Sequence, residues 1–385
     1  MRILLINHFP LTGSGSGVYT ENVAYSLIKQ GHEVCVIFPE NEKSKEYDFK
    51  THPVYFNKGS LDFNFPCFTT HPRSNKTFYD LSDDELNKYI IAFRKAISDE
   101  VLSFKPDVIH AGHIWILASI AAEFDIPLVI TAHGTDLIGY DKSKKFRKMA
   151  EDAAKKANHI ITISVENEAM VKKVFPFTKD KVICIPNGYN TDVFYPETLN
   201  KDSVLAEFGI NKHYEKVVSF AGKFTYFKGI DVLLKAALSY ENDNVITILA
   251  GDGELFGEMN DMAKDLGLQN VVFLGNQSHD ALRKLYNIAD VSLVPSRSEA
   301  FGLVVVEAMA CGTPVIGTDE GGIRDIITLE TGFLISKDDA SDLALKVKQI
   351  LDGDVIFDRN KIAKYAMKKY SQDNFTKKLI KVYNK

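Results

Sequence analysis

Cysteine is scarce in this chain of 385 residues: four in all, Cys35, Cys67, Cys184 and Cys311, with no C-x-x-C pair among them. Such spacing argues against a disulfide scaffold, and the four read as free thiols of a reducing compartment, three of them inside apolar runs where packing explains them. A basic excess is also missing. With 46 Lys and Arg against 51 Asp and Glu the net charge is -5, so no global field attracts nucleic acid. No apolar run comes near the roughly 20 residues needed to cross a bilayer. The opening MRILLINHF is too short for a signal sequence and meets Pro10 and glycines without a cleavage site, so it reads as a first strand. Short-period repeats and low-complexity tracts are absent as well. These absences leave a protein expected in the cytoplasm, without nucleic acid as a partner.

What is present is 45% hydrophobic residues, more than one compact core usually holds, which predicts two domains. Short β-branched runs alternate with amphipathic stretches, the pattern of parallel sheets covered by helices on both faces. The predicted strands of the first half are RILLIN, EVCVIF, PDVIHA, PLVITA, HIITI and KVICIP; those of the second are VVSFAG, VITILAG, NVVFLG, DVSLVPS and TPVIGT. The polar stretch Tyr195 to His213 is the natural junction. Expected, then, are two doubly wound α/β domains, 1–195 and 196–373, facing each other across a cleft. Thr51 to Asp84, with Pro53, Pro66, Pro72 and several phenylalanines, breaks the rhythm and is expected to be a binding loop.

The run SEAFGLVVVEAMACGTPVIGT carries two carboxylates, Glu299 and Glu307, eight positions apart. Strands at Asp290 to Ser296 and Thr313 to Thr318 require a crossover, so a helix is predicted from about Phe301 to Ala310, ending at Gly312. Glu307 then lies inside the helix, and Glu299 just before it at the carboxyl end of a strand, where ligands of open α/β sheets collect. The amides of Phe301, Gly302 and Leu303 present the positive end of the helix dipole to an anion such as a diphosphate. Flanking carboxylates suit hydroxyls on either side of it. Two hydroxyl-rich groups joined by a diphosphate make a nucleotide sugar. AGKFTYFKG, residues 221–229, supplies Lys223 and Lys228 at the same sheet edge, enough positive charge to neutralise a diphosphate without a metal. LAGDGE at 249–254 is a further strand-end turn. In the first half TAHGTDL at 131–137 places His133 and Asp136 at a strand end, and His110 ends another strand.

Taken in order, the E-x7-E of Glu299 and Glu307, the G-K-x4-K-G of Gly222 to Gly229, GDGE, the PNG of Pro186 to Gly188 and the early glycine loop before GHEV resemble retaining glycosyltransferase family 4, of GT-B fold, over nearly the whole chain. The resemblance implies that Lys223 and Lys228 bind the diphosphate, Glu307 the ribose hydroxyls and Glu299 the donor sugar. It implies sugar and phosphate contacts from the amides of Phe301, Gly302 and Leu303, and a close approach of Gly222, Gly15 and Gly17 to the donor. His133 would meet the sugar near the reacting carbon. The expected catalytic set is therefore Glu299, His133, Lys228 and Lys223. Acceptor contacts are expected from His110, His133 and Asp136, with Phe63, Phe65, His71 and Arg73 of the irregular segment nearby. Two departures stand out: Lys223 replaces a customary arginine, losing its bidentate fork, and Asp325 replaces a frequent glutamate. The family further implies a last helix, 374–385, that packs back on the first domain.

The expected activity is retaining, metal-independent transfer of a hexosyl group (glucose or N-acetylglucosamine type) from a UDP-sugar, rather than a GDP-sugar, to a hydroxyl of a sugar, cyclitol, small acid or lipid-linked acceptor. No cofactor is expected. Rival readings are a nucleotide-sugar epimerase of the same fold, a non-catalytic nucleotide-sugar-binding protein and, weakest, a dehydrogenase. Gly13, Gly15 and Gly17 give G-x-G-x-G, whereas the dinucleotide fingerprint needs glycine at Val18. Asp352 and Asp354 form a D-x-D far from any strand end, and His110 with His113 lack a third ligand, so no metal site is expected. Basic stretches at Asp141 to Asn158 and Lys361 to Lys385 leave peripheral contact with an anionic membrane as the alternative localisation.

Overall fold

The structure, a computed structural model, describes residues 1–42, 45–69, 71–242 and 244–385. The chain divides into two compact units, Met1–Asn187 with Phe375–Lys385, and Gly188–Asn374.

Unit 1 is built on β1 (Arg2–Ile6), β2 (Glu33–Glu40), β3 (Lys50–Tyr55), β4 (Val108–Gly112), β5 (Leu128–Ala132), β6 (His159–Thr162) and β7 (Val182–Cys184), in the order β3-β2-β1-β4-β5-β6-β7. Every neighbouring pair is parallel. Side chains alternate across a strand, so β1 feeds two cores: Leu4 and Ile6 join one face, Ile3 and Leu5 the other. The second core is closed by the final helix, Gln372–Tyr383, whose Phe375, Leu379, Val382 and Tyr383 recur at helical spacing on its buried face.

Unit 2 repeats the plan with β8 (Lys216–Ala221), β9 (Val245–Ala250), β10 (Val271–Gly275), β11 (Val291–Val294), β12 (Val315–Thr318) and β13 (Gly332–Ile335), all parallel, in the order β10-β9-β8-β11-β12-β13. Strand order reverses between β1 and β4 in the first sheet and between β8 and β11 in the second. At these switch points the flanking connections leave on opposite faces and open a crevice at the carboxyl ends.

Each strand expected from the sequence is present, and two more were not anticipated. β3 contains Pro53, which has no N–H for a ladder, but β3 pairs only with β2 at the sheet edge, where proline is tolerated. β13 is a four-residue strand at the far edge of the second sheet. The rest of the irregular segment, of which residue 70 lies outside the described residues, folds over the carboxyl end of the first sheet with isolated bridges Cys67 to Thr77 and His71 to Ser74. Phe63 and Phe65, expected near an acceptor, are 7% and 0% exposed and pack in the core with Phe56, a correction that follows from their apolar rings.

The division after Asn187 falls before the polar Tyr195 to His213 stretch, for a local reason. The Tyr189 amide donates to the Tyr370 carbonyl at 2.9 Å, and the Gln372 amide to the Tyr189 carbonyl at 3.0 Å, so the connection is stitched to unit 2 as soon as it leaves unit 1.

Candidate active site

At the unit 2 switch point, β8 runs into Gly222 and Lys223, a 3-10 turn at Tyr226–Lys228, and then the helix Ile230–Tyr240. Gly229 joins turn and helix in the left-handed conformation (φ 64°), and a Cβ there would overlap the carbonyl oxygen of Pro295 at the end of β11. Only glycine fits both demands. Phe224, 0% exposed, anchors the loop against Phe220, Phe256 and Phe273, while its amide donates to the Asp252 carbonyl at 2.9 Å. The GDGE turn is thus the floor of the lysine loop, and a Cβ on Gly251 would overlap the Gly222 carbonyl.

Lys228 extends from this loop and its ammonium forms an ion pair with the Glu299 carboxylate, the two side chains 24% and 16% exposed. Lys223 is exposed at the same edge. The backbone carbonyl of Glu299 accepts from the Gly322 amide at 3.0 Å, and Gly302 (φ 100°) caps the helix Leu303–Ala310, two residues shorter at its start than expected. Among the described residues the amides of Phe301, Gly302 and Leu303 donate to no backbone carbonyl, as befits the groups at a helix start. Phe301 itself is 4% exposed, its ring beside Tyr370, so only its backbone is available. Glu307, one turn on, is partly buried, and burial pushes its carboxyl from 4.5 up to about 7. A carboxylate held at such cost is available to hydroxyl donors.

Arg297, two positions before Glu299, escaped the sequence reading. Its guanidinium donates to Asp338 Oδ1 at 2.6 Å, Asp231 Oδ2 at 2.8 Å and the Tyr226 carbonyl at 2.8 Å, and lies 4.3 Å from the Tyr226 ring centre. Its own amide donates to the Phe227 carbonyl at 2.7 Å. One planar fork thereby fixes the lysine loop to the end of β11. Its partners are 41, 71 and 66 positions away, so no local pattern announces it. Replacing Arg297 with glutamine is expected to destabilise the chain by about 2 kcal/mol, because two carboxylates lose their shared cation. Donor KM should also rise about tenfold as Lys228 loses its fixed position. Urea unfolding with donor kinetics checks this, and a stability loss with KM unchanged would show that the loop keeps its shape unaided.

In unit 1 the helix Gly15–Lys29 follows β1, its N-cap Ser14 accepting from the Gly17 amide at 3.1 Å. A Cβ on Gly17 would overlap the Pro10 carbonyl, whereas Gly15 is exposed with nothing within 4 Å of the same position. Packing explains Gly17; it leaves Gly15 open to a ligand. His133 directly follows β5, with Nε2 buried and without a hydrogen-bond partner among the described residues, and burial lowers its pKa to about 4, so the ring is neutral at pH 7. It packs against Tyr19 at 4.9 Å and His113 at 4.7 Å. His113, also unanticipated as a member of this group, is 1% exposed and has φ 72°, an uncommon conformation for a non-glycine residue.

Two expected acceptor contacts are corrected here. His110 is 4% exposed and both ring nitrogens are engaged, Nδ1 with Tyr383 Oη at 2.6 Å and Nε2 with Thr131 Oγ1 at 2.7 Å. Asp136 is 1% exposed, and its carboxylate accepts from the Gly134 amide at 2.9 Å and the Ile114 amide at 2.8 Å. An acid one residue into a helix is drawn to backbone amides; Asp136 braces the HGTD turn against the turn after β4. Arg73 pairs with Glu40 at 2.7 Å and reaches Thr12 Oγ1 at 3.2 Å, and the His71 ring packs beneath Gly13. Among the described residues no group of three or more His, Cys, Asp or Glu side chains could hold a metal ion. Among the described residues no helix is long and apolar enough to cross a membrane.

With that geometry in place, comparison with known proteins is informative. Residues 13–193 match Glycosyltransferase Family 4 and residues 205–369 match Glycosyl transferases group 1. An uncharacterized glycosyltransferase of Methanocaldococcus jannaschii is 30% identical, covering 97% of this chain and 95% of its own length. The D-inositol 3-phosphate glycosyltransferase of Corynebacterium aurimucosum is 29% identical over 92% of this chain and 88% of its own. Among solved structures, Anabaena HepE in complex with UDP and glucose superposes with a TM-score of 0.73 at 19% identity, covering 99% of both chains. Two parallel sheets with helices on both faces, the relatives matched almost end to end and the two family matches in tandem lead to one conclusion: the chain is a glycosyltransferase of GT-B fold and belongs to glycosyltransferase family 4.

Proposed function

We propose that this enzyme moves a hexosyl group, of glucose or N-acetylglucosamine type, from a UDP-sugar to a hydroxyl acceptor with retention of anomeric configuration and without a metal ion. The observation that carries the reading is the Lys228–Glu299 pair at the β8/β11 switch point, beside the start of the Leu303–Ala310 helix. Lys228, Lys223 and the first amides of that helix hold the diphosphate and stabilise its charge as the glycosidic bond to it breaks. Glu307 accepts from the ribose hydroxyls, and Glu299 from the sugar. Neutral His133 serves the sugar as a hydrogen-bonding group. In a same-face substitution the departing diphosphate takes the proton of the attacking acceptor hydroxyl, so no protein nucleophile is needed, and positioning supplies most of the rate.

A uridine donor is supported by the HepE complex, and a cyclitol, among the acceptors considered, by the name of the C. aurimucosum relative. The four free cysteines suit a reducing cytoplasm. The basic Lys144–Lys156 helix keeps peripheral membrane contact as the alternative.

A thermal-shift and hydrolysis panel of UDP- and GDP-sugars, each with and without EDTA, tests the reading. At 100 times its Kd the right donor should stabilise the fold by about 2.7 kcal/mol, with slow release of UDP that EDTA leaves unchanged. A shift with a dinucleotide and none with any nucleotide sugar would overturn it.

A further inference from the structure

His110 is more than a displaced acceptor contact. It is the centre of a buried line of side-chain hydrogen bonds wholly within unit 1: Tyr383 Oη to His110 Nδ1 at 2.6 Å, His110 Nε2 to Thr131 Oγ1 at 2.7 Å, and Thr131 Oγ1 to Tyr19 Oη at 3.2 Å. All four side chains belong to residues less than a tenth exposed, so each bond forms where a missing partner could not be replaced by bulk water. The two ends of the line differ in kind. Tyr383 lies in the last turn of the final helix, a segment the chain adds to unit 1 after completing unit 2. Tyr19 lies in the first turns of the Gly15–Lys29 helix, its ring edge-to-face with His133 at 4.9 Å and with Phe375 of the final helix at 5.7 Å. Thr131 is two residues before His133 on β5. The line therefore touches both segments that unit 1 contributes to the proposed reaction, the glycine loop and the HGTD turn, from behind.

We propose that Tyr383 and His110 are positioning residues: through Thr131 and Tyr19 they fix the ring of His133 and the start of the glycine-loop helix. A second contact allows a control. Ser26 Oγ meets Thr376 Oγ1 at 2.6 Å, tying the same final helix to the same unit without joining the line. If the final helix merely adds core, loosening it at either contact should have the same result. If the line positions the site, only loss of the Tyr383 hydroxyl should reach His133. What His133 does there rests on the proposed transfer reaction, whereas the line itself does not.

The test compares full-length Tyr383→Phe and Ser26→Ala with the parent chain by hydrogen exchange and mass spectrometry, following peptides over residues 12–20 and 129–135. Tyr383→Phe should raise exchange in both peptides at least about fivefold over Ser26→Ala at matched global stability. With the best UDP-sugar of the donor panel, it should also lower kcat about tenfold with KM within twofold, while Ser26→Ala keeps both. Equal exchange in the two variants, or kcat unchanged in Tyr383→Phe, would overturn the positioning role. A parent chain that turns over no nucleotide sugar would instead sink the proposed reaction, leaving the exchange comparison to decide the line.

Discussion

Lys228→Ala should lower sugar transfer 100- to 1,000-fold, while the melting temperature of the ligand-free protein shifts by no more than a few degrees. The first figure is that for removing one preorganised group that stabilises charge on a departing oxyanion, about 2.7–4 kcal/mol. Lys228 is the better placed of the two lysines because the 3-10 turn, Gly229 and the Arg297 fork fix its origin, and Glu299 fixes its tip. The second figure follows from exposure. At 24% and 16% the paired side chains remain wet, so water solvates Glu299 when the ammonium is removed, and the pair contributes about 1 kcal/mol or less to stability. Lys223→Ala should cost less, about tenfold, since that side chain is exposed and its loss is partly covered by Lys228 and the helix amides. Single-turnover kinetics with melting curves separate the two quantities. Turnover within threefold of the parent in Lys228→Ala would remove the diphosphate from this loop.

Glu307→Gln should produce a protein that is more stable and less able to bind its donor, with the stability gain growing as pH rises from about 4.5 to about 7. Burial raises the folded-state carboxyl from 4.5 to about 7. Between those two values the folded chain holds a proton that the unfolded chain has released, so stability falls as pH rises through this window. The full shift corresponds to about 3 kcal/mol at 1.36 kcal/mol per unit, and part of it will be relieved by water because the residue is only partly buried. Glutamine carries no charge to desolvate. Unfolding free energies of the variant and the parent from urea titration should therefore nearly coincide near pH 4.5 and differ by about 2 kcal/mol at pH 8. Donor binding should move the other way, weakening 10- to 100-fold, since the amide offers one acceptor oxygen where the ribose diol presents two donors. In the parent, donor affinity should rise with pH through 7 as the carboxylate forms. Parallel stability profiles for the two proteins would show that Glu307 is not held uncharged.

Much of the strand-end geometry of unit 2 was legible because its residues are bound by local rules. A carboxylate at a strand end, a glycine at a helix start and a second carboxylate one turn later fall in one contiguous run, and the strand-turn-helix rhythm places them without knowledge of the rest. Gly229 and Gly251 could be marked as turn glycines, though not that the bodies they avoid are the Pro295 and Gly222 carbonyls. Reading failed where partners are distant in sequence. Arg297 has the look of an ordinary strand-end arginine until Asp231 and Asp338 converge on it. His110 has the look of a strand-end histidine facing ligand until a tyrosine 273 positions later occupies it. Asp136 and the phenylalanines of the irregular segment were misjudged for a different reason: residue type was taken for role, and burial decides between a site and its scaffold. β3 was hidden by Pro53, whose usual meaning is reversed at a sheet edge.

The return of the final helix to unit 1 has a consequence for biosynthesis. Phe375, Leu379, Val382 and Tyr383 close a core whose other walls include β1, β2, β4, β5, β6 and the Gly15–Lys29 helix. All of unit 2, Gly188 to Asn374, is translated between β7 and those residues. At about 5–20 residues per second the ribosome takes roughly 10 to 40 s over that stretch. During that interval the first half of the nascent chain carries an open apolar face, with His110 lacking its tyrosine. The N-terminal unit, first to be made, is thus the last to be finished, and a chaperone that shelters it must stay until the second unit has emerged.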